Sequence, residues 1–414
     1  MSSLCHRPHW SIHWRCWLTL ATGALLIADP VLAAEVYVQP LASVEAQTSS
    51  NVQLDTDPTQ VEQVDGYFAD AAMVIGVATP ESDTTVRPRL RYRYYPDRSD
   101  LDKLEAFLDL TTRHDTQRGH FTMFGRYEHR DEVQAERSAA EFNDITPPSP
   151  TTPESGHARV GATRDLVLLL PTYLYDVTQR VGIGASATLQ AADYSPDDPS
   201  SHVDFRYYEG KGFARWSLTQ RSDVSVGGFG SKYSATNYDS DTTSYGISTD
   251  IETNWSQILD SALRLSYQHS DIQRTEPTVF EDSTNGWSAI LETTYKGQLS
   301  RLQTSLGRSI TPSGGGGLYN SDNVRMQYEY DLTERLEFTT AARYLHNHAL
   351  SKDIGNNDRE YTRAELGLKW KFAPTWYLEA GYEYTWQKYK LDPSSAEDNS
   401  FAIRFGYEGL PRQR

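Results

Sequence analysis

RAELGLKWKFAPTWYLEAGYEYTWQ, residues 363 to 387, sets apolar and charged side chains in alternation on both sides of one tight turn. Ala364, Leu366, Leu368, Trp370 and Phe372 oppose Arg363, Glu365, Lys369 and Lys371. Beyond Ala373-Pro374-Thr375, Leu378, Ala380, Tyr382, Tyr384 and Trp386 oppose Glu379, Glu383 and Gln387. Successive side chains of a strand point to opposite faces, so an extended hairpin gathers its charges on one side and its apolar groups on the other. A helix would scatter both sets. The same sidedness occurs upstream, where Val324, Met326, Tyr328, Tyr330 and Leu332 oppose Arg325, Gln327, Glu329 and Asp331. Near the start, VRPRLRYRYYPD (86 to 97) places Arg87, Arg89, Arg91 and Arg93 between Val86, Pro88, Leu90, Tyr92 and Tyr94. Such strands fit a soluble sheet with its charges in bulk water, or a membrane barrel with its charges facing a lumen.

The rhythm of the chain separates the two. Short turns recur at DTQRG (115 to 119), VTQRV (177 to 181), LTQRS (218 to 222), Leu259-Asp260-Ser261, Leu299-Ser300-Arg301, LTERL (332 to 336) and Ala373-Pro374-Thr375. From the second onward they fall roughly every 40 residues. Between them lie two alternating segments and a longer polar loop, such as SPDDPSS, NYDSDTT, TEPTVFEDST, PSGGGG, KDIGNND and LDPSSAEDNS. Outer-membrane barrels have this asymmetry of short periplasmic turns and long external loops, whereas a soluble sandwich has no reason to sort its loops by length. A propeller blade would need four strands per repeat, and only two fit. On this grid the chain is all-β, a transmembrane antiparallel up-and-down barrel of about 18 strands. The first two segments alternate least, which leaves 16 as the alternative count.

The N-terminus reads as a secretory signal peptide, with Arg7 and Arg15 as its basic region, Cys16 to Ala28 as its apolar core and Val31-Leu32-Ala33 as a cleavage site. Cleavage after Ala33 removes both cysteines and lowers the formal net charge of −17 by one further unit. An exported chain without disulfides is not a small stapled extracellular fold. Its acidity makes nucleic acid an unsuitable partner. No later stretch is apolar enough for a spanning helix, and the mean hydropathy of −0.61 averages over alternating strands and so hides a barrel. The 26 tyrosines and 9 tryptophans suit two interfacial aromatic girdles.

Residues 34 to 414 are therefore expected to form one barrel, with 131 to 161 as a long external loop stiffened by Pro147, Pro148, Pro150 and Pro153. In general porins the loop at that position folds inward, and this one is read as external. An arginine or lysine facing lipid near the midplane costs about 2 to 4 kcal/mol, so the charged rows must line the lumen. The candidate channel-lining residues are Arg87, Arg89, Arg91, Arg93, Glu105, Asp109, Arg325, Glu329, Arg363, Glu365, Lys369, Glu379 and Glu383. If DKLEAFLDLTTR (102 to 113) pairs with the arginine strand so that partner numbers sum to 198, Arg93 faces Glu105 and Arg89 faces Asp109. That leaves Arg87 and Arg91 unmatched by that strand. The arginines then form either a structural charge ladder or a basic patch that guides an anionic solute, and the two roles are compatible.

No cofactor is expected. The Asp-rich loops lack the ligand spacing of a calcium loop. In YQHSD, His269 and Ser270 are strand neighbours pointing to opposite faces, so they cannot make a catalytic dyad, and the chain is read as a non-enzyme.

LASVEAQTSSNVQL (41 to 54), DAAMVIGVATPESDTTVRPRLRYRYYP (70 to 96) and the regular hairpins that follow resemble an outer-membrane β-barrel porin group whose members include proteins from exopolysaccharide and PEP-CTERM gene neighbourhoods. The resemblance covers the mature chain as layout and rhythm, without a catalytic motif. It implies residence among outer-membrane lipid and lipopolysaccharide, contact with the barrel-insertion machinery, and passage of small solutes or export of an anionic exopolysaccharide. An arginine-lined lumen is also similar to that of alginate-type exporters. One departure is the C-terminus, where Phe401, Ile403, Phe405 and Tyr407 are followed by EGLPRQR in place of a terminal aromatic residue. A plugged barrel serving as scaffold, adhesin or receptor is the alternative function.

Overall fold

The computed structural model describes residues 34–138, 162–195, 203–235, 240–275, 279–350, 358–390 and 394–413. Residues 1 to 33, expected to be a signal peptide, and most of the 131 to 161 loop lie outside the described residues. The chain runs through β1 (Glu35–Ser49), β2 (Val64–Ala78), β3 (Ser82–Tyr94), β4 (Lys103–Asp115), β5 (Gly119–Asp131), a short helix α1 (Glu132–Ser138), β6 (Thr163–Asp176), β7 (Val181–Ser195), β8 (Phe205–Ser217) and β9 (Ser222–Ala235). It continues through β10 (Ser240–Ser256), β11 (Leu259–Arg274), β12 (Phe280–Lys296), β13 (Ser300–Ser313), β14 (Gly317–Thr333), β15 (Leu336–Ala349), β16 (Arg359–Ala373), β17 (Trp376–Tyr389), β18 (Ser395–Glu408) and a two-residue β19 (Arg412–Gln413).

Each of the eighteen long strands pairs antiparallel with its sequence neighbours, and β1 also pairs with β18 from Leu41↔Glu408 to Ser49↔Ser400, which closes the sheet. Closure leaves the wall no free edge strand, the condition for crossing hydrocarbon, and at the long-loop end of β12, before Ala289, the ladder to β13 stops. Eighteen long strands form the wall, so the higher of the two expected counts holds. β1 and β2, whose alternation is weakest in sequence, pair along their full length from Glu35↔Ala78 to Ser49↔Val64. After Glu408 the ladder breaks, and β19 rejoins β1 at Tyr37 and Val38, so the C-terminal segment extends the closing seam beyond Tyr407.

One face of the wall is apolar and exposed. Its middle carries Leu90, Val226, Ile247, Leu306, Val324, Leu366 and Ile403. Toward the end bearing the long connections it carries Tyr92, Tyr94, Tyr208, Tyr245 and Tyr344, and toward the short-turn end Tyr173, Tyr175, Trp216, Trp255, Trp370 and Trp376. This is an apolar band between two aromatic girdles, the surface of a membrane barrel. No helix among the described residues is long and apolar enough to cross a membrane.

Three segments at the long-loop end turn inward. Residues 50 to 54 follow β1 into the barrel, where Leu54, at a φ of 52°, packs with Leu345, Tyr361 and Ala396. α1 continues from β5 and reaches β16 to β18. The tip of the β13–β14 hairpin leans toward β7 to β9. That tip separates from the wall at Gly307, because β12–β13 pairing stops at Ala289↔Arg308. Gly307 has a φ of 154°, and a Cβ there would lie 2.0 Å from the Ala289 carbonyl oxygen, so only glycine fits the bend.

Candidate functional site: a charged lumen with an inward loop segment

Contacts of α1 identify the inner face. Arg137 donates through Nη1 to Val52 O (3.0 Å) and through Nη2 to Glu383 Oε1 (2.9 Å) and to Asp398. In turn its own carbonyl accepts from Tyr361 Oη (3.3 Å) and from Arg363. α1 leaves β5, yet Arg137 meets β16, β17 and β18, which lie beyond β4, β3, β2 and β1 along the sheet. Seven residues at about 1.5 Å each cannot follow that arc, so the helix runs as a chord through the lumen. Arg363, Glu383 and Asp398 therefore point inward, and alternation carries the same orientation to the other charged positions.

The first residues of the 131 to 161 loop thus fold inward, although the sequence reading placed the loop outside. The cause is electrostatic. Asp398 is fully buried and accepts from Ser49 Oγ (2.7 Å), Ser400 Oγ (2.7 Å) and Asn51 N (2.8 Å), and Arg137 neutralises it. Burial works against the Arg137 charge, but Glu383 and Asp398 more than offset it and raise the guanidinium pKa above its ordinary value. A charge taken out of water persists only when it is paired and hydrogen-bonded in this way.

The arginines of β3 lie on this same inner face, with Leu90, Tyr92 and Tyr94 outside. Their partners differ from the expected ladder. The observed register sets Arg91 against Glu105, Arg87 against Asp109 and Arg93 against Lys103, two residues from the expected pairing. Tyr95 N donates to Asp102 Oδ1 (2.7 Å), which closes the connecting loop with Arg93 and Lys103 as the last rung. Arg93 still reaches Glu105 diagonally, at 3.1 Å, and both groups are buried. Arg89 and Arg91 instead converge on Asp70 of β2, at 2.6 and 2.8 Å, while Asp109 accepts from Arg126 of β5 (2.7 Å). Arg89 and Arg130 both lie over the Phe107 ring, at 5.2 and 5.3 Å.

The remaining predicted positions fall into two groups. Arg363 pairs with Glu365 (2.5 Å) and Glu383 (3.1 Å), Lys369 with Glu408 (2.6 Å), and Glu379 with Arg404 (3.1 Å), which also holds Glu45 (2.6 Å). Arg325 and Glu329 sit apart on β14, where Arg325 opposes Arg343 and Glu329 accepts from Gln327 Nε2 (2.8 Å).

Two inner-wall sectors result. Between β2 and β6, in the middle and long-loop part of the inner face, Arg87, Arg89, Arg91, Arg93, Arg126, Arg130 and Arg164 outnumber Asp70, Glu105, Asp109 and Glu128, so that part of the sector is net basic. At its short-turn end Asp83, Asp115 and Asp176 join Arg113 and His120. Between β16 and β1 acids and bases alternate in pairs.

No protein-family model matches the chain, and no curated protein does. Solved structures with a similar outline are outer-membrane proteins. OccAB3 of Acinetobacter baumannii aligns at a TM-score of 0.44 and 9% identity, over 90% of this chain and 99% of that one. OccK2 (OpdF) of Pseudomonas aeruginosa, in complex with glucuronate, aligns at 0.43 and 10%, over 91% and 98%. OccK5 (OpdH) of the same organism aligns at 0.42 and 9%, over 92% and 100%. The exopolysaccharide-associated group is not confirmed by these comparisons.

Several residues of the site were missed in sequence. Asp70 is a lone acid among small residues, Asp398 reads as one more acid of a polar loop, and Arg137 lies in a run without strand alternation. The HSD cluster behaves as its spacing requires. Ser270 is buried on the inner side and bonds Ser244 Oγ (2.8 Å), while His269 on the other face meets Asn285 (3.0 Å) and Asp271 (3.3 Å).

Proposed function

We propose that the chain is an outer-membrane channel through which small hydrophilic solutes pass passively, with the β2 to β6 arginine sector biasing passage toward anions. The observation that carries this reading is a closed barrel of eighteen long strands whose inner face is charged along its length. A barrel this wide is not filled by its own side chains, and so many ionised groups require water beside them. The lining then comprises Arg87, Arg89, Arg91, Arg93, Glu105 and Asp109 on the basic side, Arg363, Glu365, Lys369, Glu379 and Glu383 on the paired side, and Arg325 and Glu329 between them. Lipid and lipopolysaccharide meet the outer surface, and the insertion machinery reads the β18 end. A plugged barrel is the second reading, favoured by the three inward segments. Those segments also occupy cross-section that an exported polysaccharide would have to thread, so solute passage is the better-supported activity.

Planar-bilayer conductance of the refolded mature protein is the test. Current with anion preference is expected, and replacing Arg87, Arg89, Arg91 and Arg93 together by Gln should reduce that preference. Silence where a known porin conducts would sink the channel and leave the plugged barrel. If the quadruple variant loses only thermal stability, the arginines are a structural ladder.

A further inference from the structure

One cluster of metal-binding side chains lies away from the lumen. Asp322 on β14 and His346 and His348 on β15 offer ligand atoms that all lie within 4.8 Å of one another. Strand geometry builds the group. His346 and His348 are two apart and share a face, and Asp322 stands directly opposite His346 across the β14–β15 ladder. That face is the outer one, because the preceding rung on it, Val324↔Tyr344, is exposed and belongs to the apolar band and its aromatic girdle. The cluster therefore sits one rung beyond the girdle, on the outer shoulder of the long-loop end, where water and ions reach it.

We propose that this shoulder binds one divalent transition-metal ion of the zinc or nickel class through Asp322, His346 and His348. Two imidazoles and a carboxylate are a borderline donor set suited to these ions and not to calcium, which takes oxygen ligands. His348 Nδ1 has no hydrogen-bond partner among the described residues, so none of their groups competes for that nitrogen. Arg308 grips Asp322 with two nitrogens, at 2.6 and 2.7 Å, and is itself held over Trp287 at 4.9 Å. This fixes the carboxylate's position and leaves it lone pairs, since a carboxylate has about four acceptor sites. Arg308 adds a positive charge that opposes a cation. Glu360, opposite His346 on β16, supplies a compensating carboxylate. The ion would cross-link β14 to β15 beside the point where the β13–β14 tip bends over the lumen, and so would stiffen that tip.

The test is a Zn²⁺ titration of the refolded mature protein in detergent, followed by calorimetry, with heat-dependent gel mobility as the check on folding. One ion per chain is expected, together with a higher temperature for the mobility shift. His346→Ala combined with His348→Ala should weaken binding at least about tenfold, and Asp322→Asn should weaken it less. His269→Ala, on the same outer face, should change nothing. Absence of binding by the folded protein overturns the proposal, as does binding that the double histidine variant retains in full.

Discussion

Two segments cross the lumen at the long-loop end, and opposite chemistry holds them. α1 is fastened by Arg137 to Asp398 and Glu383. The β13–β14 tip is fastened by contact area, with Leu318 and Ile310 packing against Leu166, Tyr194, Phe205 and Tyr233. Phe205 and Tyr233 stack at 5.5 Å, and two polar bonds tie the tip across, Tyr233 Oη to Ser313 O and Val203 N to Gly314 O, each 2.8 Å. An apolar contact loses energy in proportion to what is removed. A desolvated ion pair loses far more, because removing one member leaves the other buried and unpaired. The charged crossing is therefore the one a single substitution can release.

Arg137→Ala probes that difference most strongly. It strands Asp398 and should cost on the order of 3 to 5 kcal/mol of local docking. Higher single-channel conductance than wild type, with cleavage of the released segment by added protease, is the expected result. Unchanged conductance would show that α1 does not govern the open cross-section. Phe205→Ala comes next, at about 3 kcal/mol from lost burial and the cavity left behind, read as a lower temperature for the gel-mobility shift. A conductance change in this variant as large as that of Arg137→Ala would erase the distinction between the two crossings. Gly307→Ala acts at the bend alone, where about 1 to 2 kcal/mol of backbone strain adds to the clash of the new Cβ with the Ala289 carbonyl oxygen, so the local backbone must shift. It should loosen the tip while leaving α1 docked, which protease mapping of each segment distinguishes.

Alternation made the wall readable. In Arg363 to Gln387 and in Val86 to Tyr94, every second residue tells which face is wet, and the strands begin and end within a few residues of where the short turns place them. The same property hides register. Shifting β3 against β4 by two residues returns every side chain to its own face, so the pattern cannot distinguish Arg89 opposite Asp109 from Arg87 opposite Asp109. A loop closure, from Tyr95 N to Asp102, sets it.

The loops carry no period at all. Asp398 and Arg137 look alike in sequence to any solvated acid and base, and only their meeting inside the barrel separates them from the rest. The histidine pair and Asp322 are likewise far apart in the chain until β14 and β15 align. By itself the sequence determined an all-β membrane barrel and the wet side of its wall, because these follow from local periodicity and the cost of a charge in lipid, and it narrowed the strand number to two values. Tertiary structure decided which acid answers which base, which described loop segments turn inward and that Asp322 meets the two histidines. Each of those depends on distances between strands that no local pattern encodes.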